Sequence, residues 1–184
     1  MQASGPGSLR MVWEKQGYVR IPRAVPLFYV LRYADWRQSV TRVPAELLCH
    51  HQSVWDIRSM SAVYAAAAEI LDTPAVWAAI NEPECAVIKG FLAVNRNGSS
   101  LTAVKDGGQC LTLEAQMADL IMTDPQRLSI AALSGHDWLT LDYSPAQPDN
   151  LELLGQRQQE FCNDQIAPVN LTLLGRQLLG LAEW

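Results

Sequence analysis

His136, Asp142 and Tyr143 are the residues of this chain whose types and spacing suit proton transfer, and they lie within eight positions of one another. His136 follows Ser134-Gly135, a turn signal, and an imidazole with an ordinary pKa near 6.5 on a turn can serve as general acid or base. The bland alternative is an exposed loop histidine. Asp142 and Tyr143 end a β-leaning run that starts at Trp138, so alternation along a strand sends one to each face. These three form the candidate catalytic set, as donors and acceptors in chemistry that needs no metal. The adjacent His50 and His51, read as strand residues, would point to opposite faces and could not both reach one ion. A structural pair bonded to nearby backbone or to Asp56 is expected, with His51 kept as a candidate ligand contact. Lys89 and Lys105 are expected to be solvated, because nothing in the sequence would desolvate them.

Four cysteines, Cys49, Cys85, Cys110 and Cys162, lie far apart without a Cys-x-x-Cys pair, which excludes a zinc knuckle or a dithiol motif and leaves buried free thiols. Six tryptophans are expected mainly in the core, with Trp55 and Trp138 as candidates to line a pocket. The net charge of -5 and scattered basic residues argue against a nucleic-acid partner. No apolar run reaches transmembrane or signal-peptide length, so a cytoplasmic protein without a membrane partner is expected. With 184 residues the chain suits one domain over 13–184, after a flexible start or tag remnant over 1–12.

The elements that must position these residues fall into two styles. Before Pro83 there is a short strand after Gly17, a helical stretch from Leu27 to Trp36, and an alanine-rich helix over Ser61–Leu71 stopped by Asp72-Thr73-Pro74. After Pro83 come short β-leaning runs at Val87–Val94, Ser100–Val104, Gln109–Leu113, Asp119–Met122, Leu128–Leu133 and Trp138–Tyr143. Turn signals such as Asn95-Arg96-Asn97-Gly98 and Asp106-Gly107-Gly108 separate them, a pattern that suits a sandwich or small barrel. Helices are expected again over Leu151–Phe161 and Leu171–Leu181.

Four segments in order resemble the phytanoyl-CoA dioxygenase-like family of Fe(II)/2-oxoglutarate oxygenases. They are Gly17–Val25, the His50-His51-Gln52-Ser53-Val54-Trp55-Asp56 motif, Gly90-Phe91-Leu92-Ala93-Val94-Asn95, and the leucine-rich tail Leu171–Trp184. The resemblance implies an α+β, mainly β fold, a double-stranded β-helix (jelly roll, cupin-like) flanked by helices, shorter than the family. It also implies a strand at Val76–Ile80, where propensity alone reads helix. In that family the Gly90–Asn95 stretch carries a His-x-Asp iron pair. Here Ala93 and Asn95 stand at those positions, and counting places Ser129 near the distal histidine and His136 near the cosubstrate arginine.

The expectation that follows is a metal-independent member of the fold with no cofactor and a non-oxidative role. One form is an isomerase, lyase or cyclase holding an apolar small molecule; the other is a ligand-binding pseudoenzyme. Substrate contacts are expected from His51, Trp55, Asn95 and Trp138. Two alternatives stay open: an Fe(II)/2-oxoglutarate oxygenase with atypical ligands (His136, Asp137 and His50 or His51), and a non-catalytic scaffold partner of an intact relative. A homodimer, or pairing with a related chain, is left open as well.

Overall fold

Three antiparallel sheets carry the fold of the computed structural model, which describes residues 8–40, 48–80, 86–132, 137–163 and 167–184. The elements in order are α1 (Leu9–Gln16), β1 (Tyr18–Ile21), α2 (Leu27–Ser39), α3 (Gln52–Arg58), α4 (Ser61–Leu71), β2 (Val76–Ala78), β3 (Lys89–Ala93), β4 (Ser99–Lys105), β5 (Cys110–Ala115), β6 (Leu120–Thr123), β7 (Leu128–Ala132), β8 (Trp138–Thr140), β9 (Tyr143–Pro145), α5 (Leu151–Asn163) and α6 (Leu173–Leu179). One sheet runs β1-β6-β3-β8, a second runs β5-β4-β7, and β2 pairs with β9. A bridge from Ile88 to Tyr143 ties that last pair to the first sheet.

Alternation along β3 explains how the layers are held. Leu92 and Val94 face the helices, in one core with Leu120, Met122 and Leu139 from the neighbouring strands, Leu141 just after β8, and Val54, Trp55, Val63 and Ile70 from α3 and α4. Phe91 and Ala93 face the other way, into a second core with Ile121 and Trp138 of the same sheet and Leu101, Leu113 and Ala115 of the three-stranded sheet. Two packed faces of one sheet make β3 apolar almost throughout, with burial from Gly90 to Ala93. This is the mainly β, helix-flanked architecture expected from the resemblance.

Several local expectations change. Residues 8–12 are not a loose start: Ser8 caps α1, accepting from the Met11 N–H, and Gly17 (φ 78°) ends the helix in the left-handed region. The Arg127 guanidinium reaches the carbonyls of Trp13, Glu14 and Lys15, which adds charge-assisted bonds at the helix C-terminus. The pair His50-His51 is not on a strand. His51 is the N-cap of α3, its Nδ1 accepting from the Ser53 N–H at 3.2 Å, and the motif read from the sequence is therefore a helix start. Val76–Ala78 is a strand, against its helical propensity, because all three residues are buried and pair with β9.

Candidate functional site

The end of β3 is shaped by backbone demands. A Cβ at Gly90 would lie 2.3 Å from the Leu141 carbonyl oxygen, so glycine is required for β3 to approach the segment after β8 this closely. Past Ala93 the chain stays attached through the Val94 N–H, which donates to the Asp137 carbonyl at 2.9 Å, and then turns. Asn95 organises the turn: its Oδ1 accepts from the Asn97 N–H at 2.9 Å, and its Nδ2 donates to Asp137 Oδ1 at 2.7 Å. Gly98, at φ 82°, supplies the left-handed residue before β4.

Opposite this turn lies the C-terminal half of α2, and between them opens a cleft of about 630 Å³. Tyr33, Asp35, Arg37 and Gln38 line one wall; Asn95, Arg96, Asn97 and Asp137 line the other. The volume falls in the range of small-molecule sites. The described lining is mostly polar, with Ala34 and Val94 its aliphatic residues and Tyr33 its one aromatic residue.

Of the residues singled out from the sequence, Asn95 borders this cleft, and so does Asp137, named there as an alternative metal ligand. His136 lies outside the described residues. Tyr143 is fully buried in the core, and burial pushes its hydroxyl pKa upward. Trp55 (1% exposed) lies in the helix-side core and Trp138 (4%) in the core between sheets, and neither lines the cleft. His51 stacks on Trp36 at 3.6 Å between ring centroids while capping α3, away from the cleft lining. Burial, with the Arg32 charge, lowers its pKa, as suits a ring nitrogen that must accept.

Asp142 is half-buried beside Lys89 and Arg58. Burial raises its carboxyl to about 6 against the pull of both cations, and its Oδ1 has no hydrogen-bond partner. His50 is buried (1% exposed) between Trp55 and Phe161 with both ring nitrogens unpartnered; burial and then Arg58 push its pKa down to about 4. Sequence reasoning missed the α2 wall, Asp35, Arg37 and Gln38. Polar residues near the end of a helix read as a solvated face, and only the turn signal at Asn95–Gly98 marked the opposite wall.

The iron that the resemblance implies does not fit the described residues. Ala93 offers no donor atom and packs among Phe91, Leu101 and Trp138. Both ends of the Asn95 amide are committed, to Asp137 and to the Asn97 N–H. Among the described residues no three His, Cys, Asp or Glu side chains converge as a metal site. None of the described helices is long and apolar enough to cross a membrane.

No family model matches the chain, and no curated protein matches it. Solved structures do. The crystal structure of the non-heme alpha-ketoglutarate-dependent epimerase SnoN from nogalamycin biosynthesis aligns at 12% identity and a TM-score of 0.56, covering 75% of this chain and 81% of that one. The same epimerase in complex with Fe3+, alpha-ketoglutarate and nogalamycin RO gives the same identity and TM-score, over 75% and 82%. A Pseudomonas putida prolyl-4-hydroxylase aligns at 10% identity, over 74% and 95%, with a TM-score of 0.46. At such identities the SnoN match establishes the fold alone: this chain has the double-stranded β-helix of the 2-oxoglutarate oxygenases.

Proposed function

We propose that this protein is a non-oxidative, ligand-binding member of the 2-oxoglutarate oxygenase fold, from its phytanoyl-CoA dioxygenase-like branch, which holds a small polar molecule in the cleft between α2 and the Asn95–Gly98 turn. The observation that carries this reading is the packing between the two larger sheets. Phe91, Ala93, Ile121, Trp138, Leu101, Leu113 and Ala115 fill the space there. With that layer filled, the cleft beside it is a concave surface of a size that can take a ligand. Its mostly polar lining favours a polar ligand over an apolar one.

A second reading, a metal-independent isomerase, lyase or cyclase, draws on the buried Asp142 carboxyl held near neutral pH. Asp142 does not line the cleft described here, so the binding reading is preferred. The test is a metabolite screen by thermal shift on the whole chain, repeated on Asn95→Trp, which fills the cleft mouth. A compound that raises the Tm of the native chain and leaves the variant unmoved supports the reading. Stoichiometric iron together with a rise of several degrees on adding 2-oxoglutarate overturns it.

A further inference from the structure

Both walls of the cleft carry both signs of charge. Asp35 and Arg37 come from α2; Arg96 and Asp137 come from the turn and the residue before β8. Among the described residues the ion pairs join Arg10 to Glu14 and Asp72, Arg20 to Asp119, and Arg32 to Asp56; the four cleft charges form none with one another. Arg37 gives one N–H to the Val40 carbonyl at 3.2 Å, and Asp137 gives one oxygen to Asn95. The side chains of Asp35 and Arg96 hydrogen-bond to no described residue, so among the described residues the cleft keeps donor and acceptor capacity for a ligand.

This arrangement discriminates by charge. A ligand of a single sign gains from two of these side chains and is repelled by the other two. A ligand with an ammonium and a carboxylate gains from all four, and charge-assisted bonds are the stronger class. Tyr33 as the one aromatic lining residue gives no cage for a quaternary ammonium, whereas Asp35, Asp137 and the Asn97 side-chain carbonyl offer acceptors for the N–H groups of a primary one.

We propose that the cleft binds a zwitterion carrying a primary ammonium and a carboxylate, an amino-acid-like molecule up to the size of a short peptide, with Arg96 and Arg37 on the carboxylate and Asp35 and Asp137 on the ammonium. This rests on the reading of the cleft as the ligand site.

The experiment is calorimetry on the whole chain with four matched probes: tri-alanine, its N-acetyl form, its C-terminal amide, and the doubly capped form. The expected result is binding of free tri-alanine at least tenfold tighter than any capped probe. Arg96→Gln should bring the free peptide down to the level of its amide, and Asp35→Asn should bring it down to the level of the acetylated form. Equal binding of a singly capped probe overturns the zwitterion assignment, and so does no binding by any of the four. The broader reading falls separately, when the metabolite screen yields no compound whose binding depends on Asn95.

Discussion

Arg20 places its Nη2 2.6 Å from Oδ2 of Asp119, linking β1 to the residue that precedes β6 across 99 positions of sequence. The carboxylate also accepts from the backbone N–H of Arg23 at 2.9 Å and of Gln116 at 3.0 Å. Burial alone would raise its pKa; the two backbone donors and the guanidinium outweigh it, so the carboxyl ionises below the ordinary range. Asp119→Ala strands two backbone donors, at an expected loss of about 2 kcal/mol. In a chain of this size that is roughly 4–8 °C of Tm. Arg20→Ala should cost less than about 1 kcal/mol, since that side chain is 43% exposed. The depressed pKa makes the Asp119 contribution fully present above the unfolded value of 3.8 and lost as pH falls through the folded one, so acid melting curves of Asp119→Ala and the native chain should converge below about pH 4.

His50 and Asp142 pull stability in opposite directions over one pH window. The imidazole is neutral when folded, with a pKa near 4, so acidification from 6.5 towards 4 protonates the unfolded chain first and costs stability, up to about 3 kcal/mol. The Asp142 carboxyl, raised to about 6, destabilises the fold while ionised and is relieved as pH falls from 6 towards 3.8, by a similar amount. Each substitution should therefore uncover the other group. Asp142→Asn should raise the Tm at pH 7 and lose that advantage by pH 4. His50→Phe should match the native chain at pH 7 and exceed it near pH 4.5. Parallel melting curves for variant and native protein across that range would show that neither group titrates as assigned.

Much of the fold was legible because its signals are local. The alanine-rich run Ser61–Leu71 carries helix propensity throughout and a stop at Asp72, and α4 has those bounds. The runs behind β4 to β7 are short, β-leaning and separated by turn residues. What escaped is what depends on distant partners. Helix α1 is finished by Arg127, more than a hundred residues away. Trp55 and Trp138 are buried in two separate cores, and a tryptophan's type does not reveal which face of its element is covered. The cleft is made by α2 meeting a turn some 60 residues later, and periodicity along either segment carries no trace of that meeting.

Gly90 marks where β3 and the segment after β8 lie closest: the Leu141 N–H donates to the Gly90 carbonyl at 2.8 Å, and the Leu141 carbonyl occupies the place of a side chain. The obstacle is backbone hydrogen-bonded to β3, so it cannot swing aside as a flexible side chain would. Gly90→Ala should cost more than about 3 kcal/mol, beyond ordinary overpacking, or yield no folded protein. Gly107→Ala, where a Cβ would meet nothing within 4 Å, is the matched control. Its φ of 93° gives it a purely conformational cost of about 1 kcal/mol. Urea unfolding of both variants measures the difference.

Trp138 stands edge-on to Phe91 at 6.4 Å between ring centroids, and together they wedge the four-stranded sheet away from the three-stranded one. If this layer is structural packing, Trp138→Ala leaves a void in close-packed surroundings and costs about 3–5 kcal/mol. Trp138→Phe should recover most of that, because it keeps aromatic volume and removes an indole N–H that has no partner. A layer that instead opened for a ligand would answer differently: truncation would enlarge a pocket, stability would change little, and ligand affinity would move. Denaturant melts of the two variants with and without a compound from the cleft screen separate these cases. The expected outcome is a large loss of stability for Trp138→Ala with the affinity of the folded fraction unchanged, because the cleft wall is built from Asn95, Arg96 and Asp137 rather than from the indole.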